Sequence, residues 1–195
     1  MSRLFDRLLL IIGVGCLGVY VVYTVQARIY QHQLEESFEY MVNKPVVTGE
    51  PVDKPPPLGN RTPPLKEGDL VGRLEIPRLD VSVMVLEGVK SRTLRLGAGH
   101  IPGTPIPGAG SNAGIAAHRD SFFRALLKIQ TNDEIRFQTP EKSVQYRVVS
   151  TEIVQPDDVT VLTPTPKDTI TLVTCYPFYY IGPAPKRFIV KATAE

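Results

Sequence analysis

Thr171-Leu172-Val173-Thr174-Cys175 is a run of β-branched and apolar residues that ends on a thiol. The residues that follow, Tyr176 to Lys186, carry Pro177, Gly182, Pro183 and Pro185, which fix φ, remove backbone donors and force a loop. Arg187-Phe188-Ile189-Val190 then opens a second strand-like run. If the two runs pair antiparallel, the end of the first lies beside the start of the second. Cys175 would then sit next to a permanent cation, Arg187, at one rim of a sheet.

A third reactive side chain stands in a similar position. Ala113 to Ala117 is short, small and apolar, and it leads into His118 just before the polar turn Arg119-Asp120. Strand ends and their loops are where a scaffold presents reactive groups. A Cys with a His in reach can perform nucleophilic catalysis, because imidazole takes and returns protons near neutral pH. Taken singly, His118 also fits a satisfied loop histidine, and Arg187 a solvated strand-end charge. Asp120 could orient His118 or cap a helix.

Outward from these segments, period-2 patterning predicts strands at Leu70–Ile76, Val81–Leu86, Glu134–Gln138, Val144–Val154, Thr169–Thr174 and Phe188–Ala192. Gly97 to Gly110, with Pro102, Pro105 and Pro107, reads as turns, and Asp120 or Ser121 can open a short helix through Phe122, Phe123, Leu126 and Leu127. Many short strands with one or two short helices predict an all-β domain over 69–195. A closed barrel suits it, because closure removes exposed sheet edges.

The N-terminal part is of another kind. Leu8 to Ala27 contains no charged residue, and about 20 such residues cross a bilayer as a helix. Arg3 and Arg7 precede it, which favours an N-terminus in the cytoplasm and everything after the helix outside. Residues 1–27 therefore read as a cytoplasmic tip and a transmembrane signal anchor. A cleaved signal peptide is the alternative, with Val25-Gln26-Ala27 as its small-residue cleavage site. Residues 28–42, with Tyr30, Leu34, Phe38 and Met41 at helical spacing, predict a juxtamembrane stalk helix. Residues 43–68 hold Pro45, Pro51, Pro55-Pro56-Pro57 and Pro63-Pro64, the composition of an extended spacer.

Net charge is +2, from 22 basic and 20 acidic residues interspersed along the chain, so the sequence lacks a nucleic-acid footprint. Of the two cysteines, Cys16 lies in the apolar helix and Cys175 in the exported domain, so they cannot pair within one chain. An unpaired exported thiol is either an inert small hydrophobe or a reactive group. No His/Cys cluster has metal-ligand spacing, and no phosphate loop or nucleotide fingerprint is present, so neither metal nor other cofactor is expected. His32, in the stalk, and His100, among turns, receive no role.

At this point the sequence resembles a known family. Thr171-Leu172-Val173-Thr174-Cys175 is similar to the TLxTC signature of sortases, and Gly114 to His118 with Arg119-Asp120 is similar to their catalytic-histidine segment. The string from Cys175-Tyr176-Pro177-Phe178 through Ala184-Pro185-Lys186-Arg187-Phe188-Ile189-Val190 is most similar to class D sortases. The resemblance covers roughly Leu70 to Ala194, and the N-terminal anchor with its linker also fits.

The resemblance implies an eight-stranded sortase barrel whose Cys, His and Arg carry transpeptidation. Family members cleave an LPxTG-type C-terminal sorting signal between Thr and Gly through a thioester, and pass the acyl group to an amine. Carried over, Cys175 is the nucleophile, His118 the proton donor and acceptor, and Arg187 the electrostatic stabiliser. Thr174 and Tyr176 are candidates for substrate binding and Asp120 for orienting His118. Partners implied are the sorting signal of exported proteins, an amine on a cell-wall peptide or a protein lysine, and membrane lipid around the helix. The implied location is the bacterial cytoplasmic membrane, single-pass. Two other readings stay open: an L,D-transpeptidase-like cell-wall enzyme, although no Ser-His-Gly run precedes Cys175, and a non-catalytic tethered β-domain.

Overall fold

A computed structural model of the chain describes residues 2–43 and 65–195. Most of the Pro-rich spacer expected over 43–68 therefore lies outside the described residues. Eight strands form a closed barrel: β1 (Leu70–Ile76), β2 (Val81–Glu87), β3 (Ala98–His100), β4 (Asn112–Ala116), β5 (Glu134–Gln138), β6 (Ser143–Val154), β7 (Thr169–Tyr176) and β8 (Lys186–Ala194). Around the barrel they run β1-β2-β3-β4-β7-β8-β6-β5. Two pairs are parallel, β2 with β3 and β4 with β7, and the rest are antiparallel.

Alternation decides which face of each strand turns inward. In β5, Ile135 and Phe137 are buried between half-exposed Glu134, Arg136 and Gln138. The same rule sends Ile115, Ile170, Leu172, Val190 and Ala192 into one core with Leu74, Phe123, Phe137 and Tyr146. β7 is buried on both faces along its first half, because the β6–β7 connection crosses the outside of the barrel there. Asn112 anchors that crossing: its side-chain amide donates to the carbonyls of Val161 and Thr163, each at 3.0 Å, and its Oδ1 accepts from Thr171 Oγ1 at 2.7 Å. A buried amide with these partners satisfies a connection that would otherwise leave orphaned carbonyls.

Two elements differ from the sequence expectations. The stretch 91–110, read as turns from Gly97 onward, holds a short helix α2 (Ser91–Leu96) and the strand β3. The helix expected over 120–127 is reduced to turns and a 3-10 segment, Arg124–Lys128, with the Phe123 N–H donating to the His118 carbonyl at 3.1 Å.

The N-terminal segment is one helix, α1, from Ser2 to Asn43. Its apolar part reaches a mean hydropathy of 2.4 and is long and apolar enough to cross a bilayer. Its C-terminal part does not stand free as a stalk but packs on β1 and β2. Phe38 is fully buried under the Arg73 guanidinium, 5.4 Å from its ring centroid, and Arg73 pairs with Glu39 at 2.7 Å. Gln31 accepts from the Met84 N–H at 2.8 Å and donates to the Leu96 carbonyl at 2.5 Å. α1 is thereby fixed to the barrel wall by packing and hydrogen bonds.

Candidate active site

β7 has β4 on one side and β8 on the other, and the register on each side places one candidate residue. On the β8 side, Cys175 and Arg187 are direct cross-strand partners. Cα atoms so paired lie about 4.5–5.5 Å apart. On the β4 side the ladder is parallel, with Ala113 opposite Ile170 and Ala116 opposite Val173. It continues past the end of β4: the Ala117 N–H donates to the Val173 carbonyl at 3.2 Å, and Thr174 Oγ1 donates to the Ala117 carbonyl at 2.7 Å. His118 is the next residue after this last bonded position. Cys175 and Arg187 thus stand opposite each other at one rim of the barrel, with the segment that leads into His118 bonded alongside the strand of Cys175.

They also share a face. Ile115 and Ala117, Leu172 and Thr174, and Val190 and Ala192 are buried on the inside. The alternate positions, Ala116 and His118, Val173 and Cys175, and Arg187, are half-buried on the outer surface. Lower on that surface, Gly114 lies under Ile101 and Leu162. A Cβ there would come within 2.9 Å of both side chains, so no larger residue fits without shifting them. Ile101 and Leu162 are half-exposed. They close one end of an apolar strip that leads through Ala116 and Val173 to Cys175.

The sortase-domain family model matches residues 74–195, more than half of the chain. The chain belongs to the sortase family. It is 34% identical over 124 residues to Sortase D of Bacillus subtilis, a match covering 63% of this chain and 63%, just under two thirds, of that protein. Among solved structures it is similar to the Clostridium perfringens Sortase D5 transpeptidase, with TM-score 0.62, 31% identity, and 68% and 82% of the two chains covered. It is likewise similar to Clostridium perfringens sortase C solved with the C-terminal cell wall sorting motif, with TM-score 0.62, 28% identity, and 67% and 73% covered.

In this sortase domain the secondary candidates separate. Thr174 is 2% exposed and faces the interior. Its hydroxyl joins the strand of Cys175 to the segment of His118, which is a supporting role. Tyr176 is half-buried and packs edge-on to Phe178, centroids 6.2 Å apart, and stacked on Phe188 at 6.3 Å, as part of the core rim. Asp120 is exposed, with no hydrogen bond or ion pair among the described residues, and the structure does not bring it to His118 as an orienting group. Arg187 Nη1 donates to the carbonyls of Ala184 and Lys186, at 3.3 and 3.1 Å, so the guanidinium is turned onto its own loop.

Arg119 is a residue that sequence reasoning passed over. Its Nη2 donates to the carbonyls of Tyr180 and Gly182, at 2.7 and 3.0 Å, and its guanidinium lies 5.9 Å from the Tyr180 ring centroid. It ties the loop after Cys175 to the turn after His118, across 61 residues of sequence. Only its adjacency to His118 could have drawn notice. His100, given no role from sequence, is buried below the rim, with Nδ1 2.6 Å from Glu87 Oε2 and Nε2 3.0 Å from the Pro105 carbonyl. Among the described residues no group of His, Cys, Asp and Glu is arranged to hold a metal ion.

Proposed function

We propose that this chain is a membrane-anchored cysteine transpeptidase. It cleaves an LPxTG-type C-terminal sorting signal between Thr and Gly and transfers the new acyl end to an amine. The observation that supports the reading is the register of β7: Cys175 pairs with Arg187 on the β8 side, and on the β4 side the ladder ends at Ala116 opposite Val173, two residues before His118. The solved sortase C with a sorting motif lends support by likeness.

The chemistry follows from the three groups. The Cys175 thiolate attacks the Thr carbonyl carbon, and the π electrons move to oxygen. The Arg187 guanidinium, swinging from its loop carbonyls, hydrogen-bonds that oxyanion or the adjacent peptide backbone; one such donor contributes about 3–4 kcal/mol in the transition state. When the oxyanion collapses, the C–N bond breaks and His118 protonates the leaving Gly amine. The thioester then receives an incoming amine, whose proton passes to His118, and Cys175 leaves as thiolate. The apolar strip from Ile101 and Leu162 to Val173 suits the Leu and Pro side chains of the signal.

The N-terminus lies in the cytoplasm, following Arg3 and Arg7, and the barrel lies outside the bacterial cytoplasmic membrane. The acceptor is an amine on a cell-wall peptide or on a protein lysine.

Incubating the full chain in detergent with an LPxTG-type peptide and a small amine tests this. Mass spectrometry is expected to show the amine-exchanged product with the native chain and none with Cys175→Ala. Equal product from both would remove Cys175 from the reaction.

A further inference from the structure

α1 serves two regions at once. Tyr20, Tyr23, Thr24 and Ala27, at the end of its apolar stretch, line a cleft of about 1080 Å³ whose opposite wall is the barrel. That wall carries Arg92 and Arg95 of α2, His118, and Arg124. The α1 residues that line the cleft run from Tyr20 to Gln33, about 20 Å of helix at 1.5 Å rise per residue, and Ala27, the end of the apolar stretch, falls within that span. The cleft therefore spans the height at which α1 leaves the apolar core of a bilayer.

The charge of the cleft is lopsided. Arg28, Arg92, Arg95 and Arg124 line it and are exposed, whereas Asp120 is its single acidic lining residue. Arg28, Arg92 and Arg95 have no ion pair or hydrogen bond among the described residues, and Arg124 has only the Tyr179 ring, 5.6 Å away. Guanidinium groups match phosphate with paired donors, and a phosphate layer lies at this height in a bilayer. Beside the cleft the β7–β8 loop exposes Tyr179 (73%) and Ile181 (96%), an aromatic and an aliphatic side chain of the kind that settles at a membrane interface.

We propose that the cleft between α1 and the barrel binds the phosphate of an anionic phospholipid headgroup of the outer leaflet, held by Arg28, Arg92, Arg95 and Arg124. This rests on the membrane-anchored orientation given above. The bound lipid seats the rim of Cys175 and His118 on the bilayer surface, so the enzyme works on substrates held close to the membrane. Binding is electrostatic and weakens with salt.

The sequence contains no tryptophan, so Ser121→Trp places a single reporter on the cleft wall. The full chain carrying this change is reconstituted in vesicles of equimolar phosphatidylcholine and phosphatidylglycerol, with bromine on the acyl chains of one lipid or the other. Brominated phosphatidylglycerol is expected to quench preferentially, by at least about five-fold in relative association, the share of one engaged arginine near an anionic surface. The preference is expected to shrink in Arg92→Gln/Arg95→Gln and again at high salt. Equal quenching by the two lipids, or none while the protein co-floats with the vesicles, would overturn the lipid site and leave the anchor reading standing. Failure to co-float would overturn the anchor reading itself.

Discussion

The two sides of β7 hold their reactive groups in different ways. On the β4 side, His118 follows directly on a segment pinned by two bonds, one backbone and one from the buried Thr174 hydroxyl at 2.7 Å. On the β8 side, strand register fixes the Cα of Arg187 opposite Cys175, but the guanidinium rests on loop carbonyls through two bonds of 3.1 and 3.3 Å. Buried bonds with no water to replace them are costly to break, whereas exposed ones exchange with water at little net cost. The backbone leading into His118 is thus held in place, whereas the Arg187 guanidinium can leave its loop carbonyls for the charge that the proposed reaction would develop. The difference matches the proposed tasks, since a proton carrier serves both half-reactions and an oxyanion donor serves the transition states.

Of the two groups flanking Cys175, removing the proposed proton carrier is expected to have the larger effect. His118→Ala should lower the steady-state rate by about 10²–10⁴-fold, the usual contribution of general acid–base catalysis, as measured by amine-exchange kinetics. Arg187→Lys should follow, losing on the order of 10²-fold in kcat because an ammonium cannot reproduce a planar fork of donors. Near-native turnover in that variant would take Arg187 out of the catalytic role.

Thr174→Val sharpens the contrast from the other side. It keeps the shape but leaves the Ala117 carbonyl unpaired in the interior, costing about 1–3 kcal/mol of stability. Thermal unfolding should show the loss and kinetics a fall in kcat, both restored by Thr174→Ser. An unchanged kcat in a destabilised Thr174→Val would mean that the pin supports the barrel and not His118. The smallest effect is expected from Arg119→Gln. It releases the β7–β8 loop, so amide exchange over residues 178–183 should rise while the barrel strands keep their protection.

How legible this was in the sequence depended on how local the cause was. Strands such as Glu134–Gln138 announce themselves because each alternating residue reports its own face. The meeting of Cys175 with Arg187 followed from chain order, since a loop joins their strands. The proposed partnership of Cys175 with His118 had no such source in residue spacing. It depends on the parallel pairing of β4 with β7, made across the β5–β6 hairpin, and only the likeness to sortases pointed to it. β3 escaped notice because Ala98-Gly99-His100 is three residues long and exists through its neighbours β2 and β4. The docking of α1 was half visible: the spacing of Leu34 and Phe38 marked an apolar face, while the Arg73 and Met84 groups that receive the helix lie far away in sequence.

In the proposed reaction Cys175 carries the acyl group, with His118 and Arg187 as its partners. Intact-mass measurement of the full chain, mixed with an LPxTG-type peptide and quenched in acid, tests it most directly. An added mass equal to the peptide through its Thr less one water, mapped to Cys175 and released by hydroxylamine, is expected. A chain that turns the peptide over with Cys175 replaced by Ala, or an adduct mapped to any other residue, would contradict it.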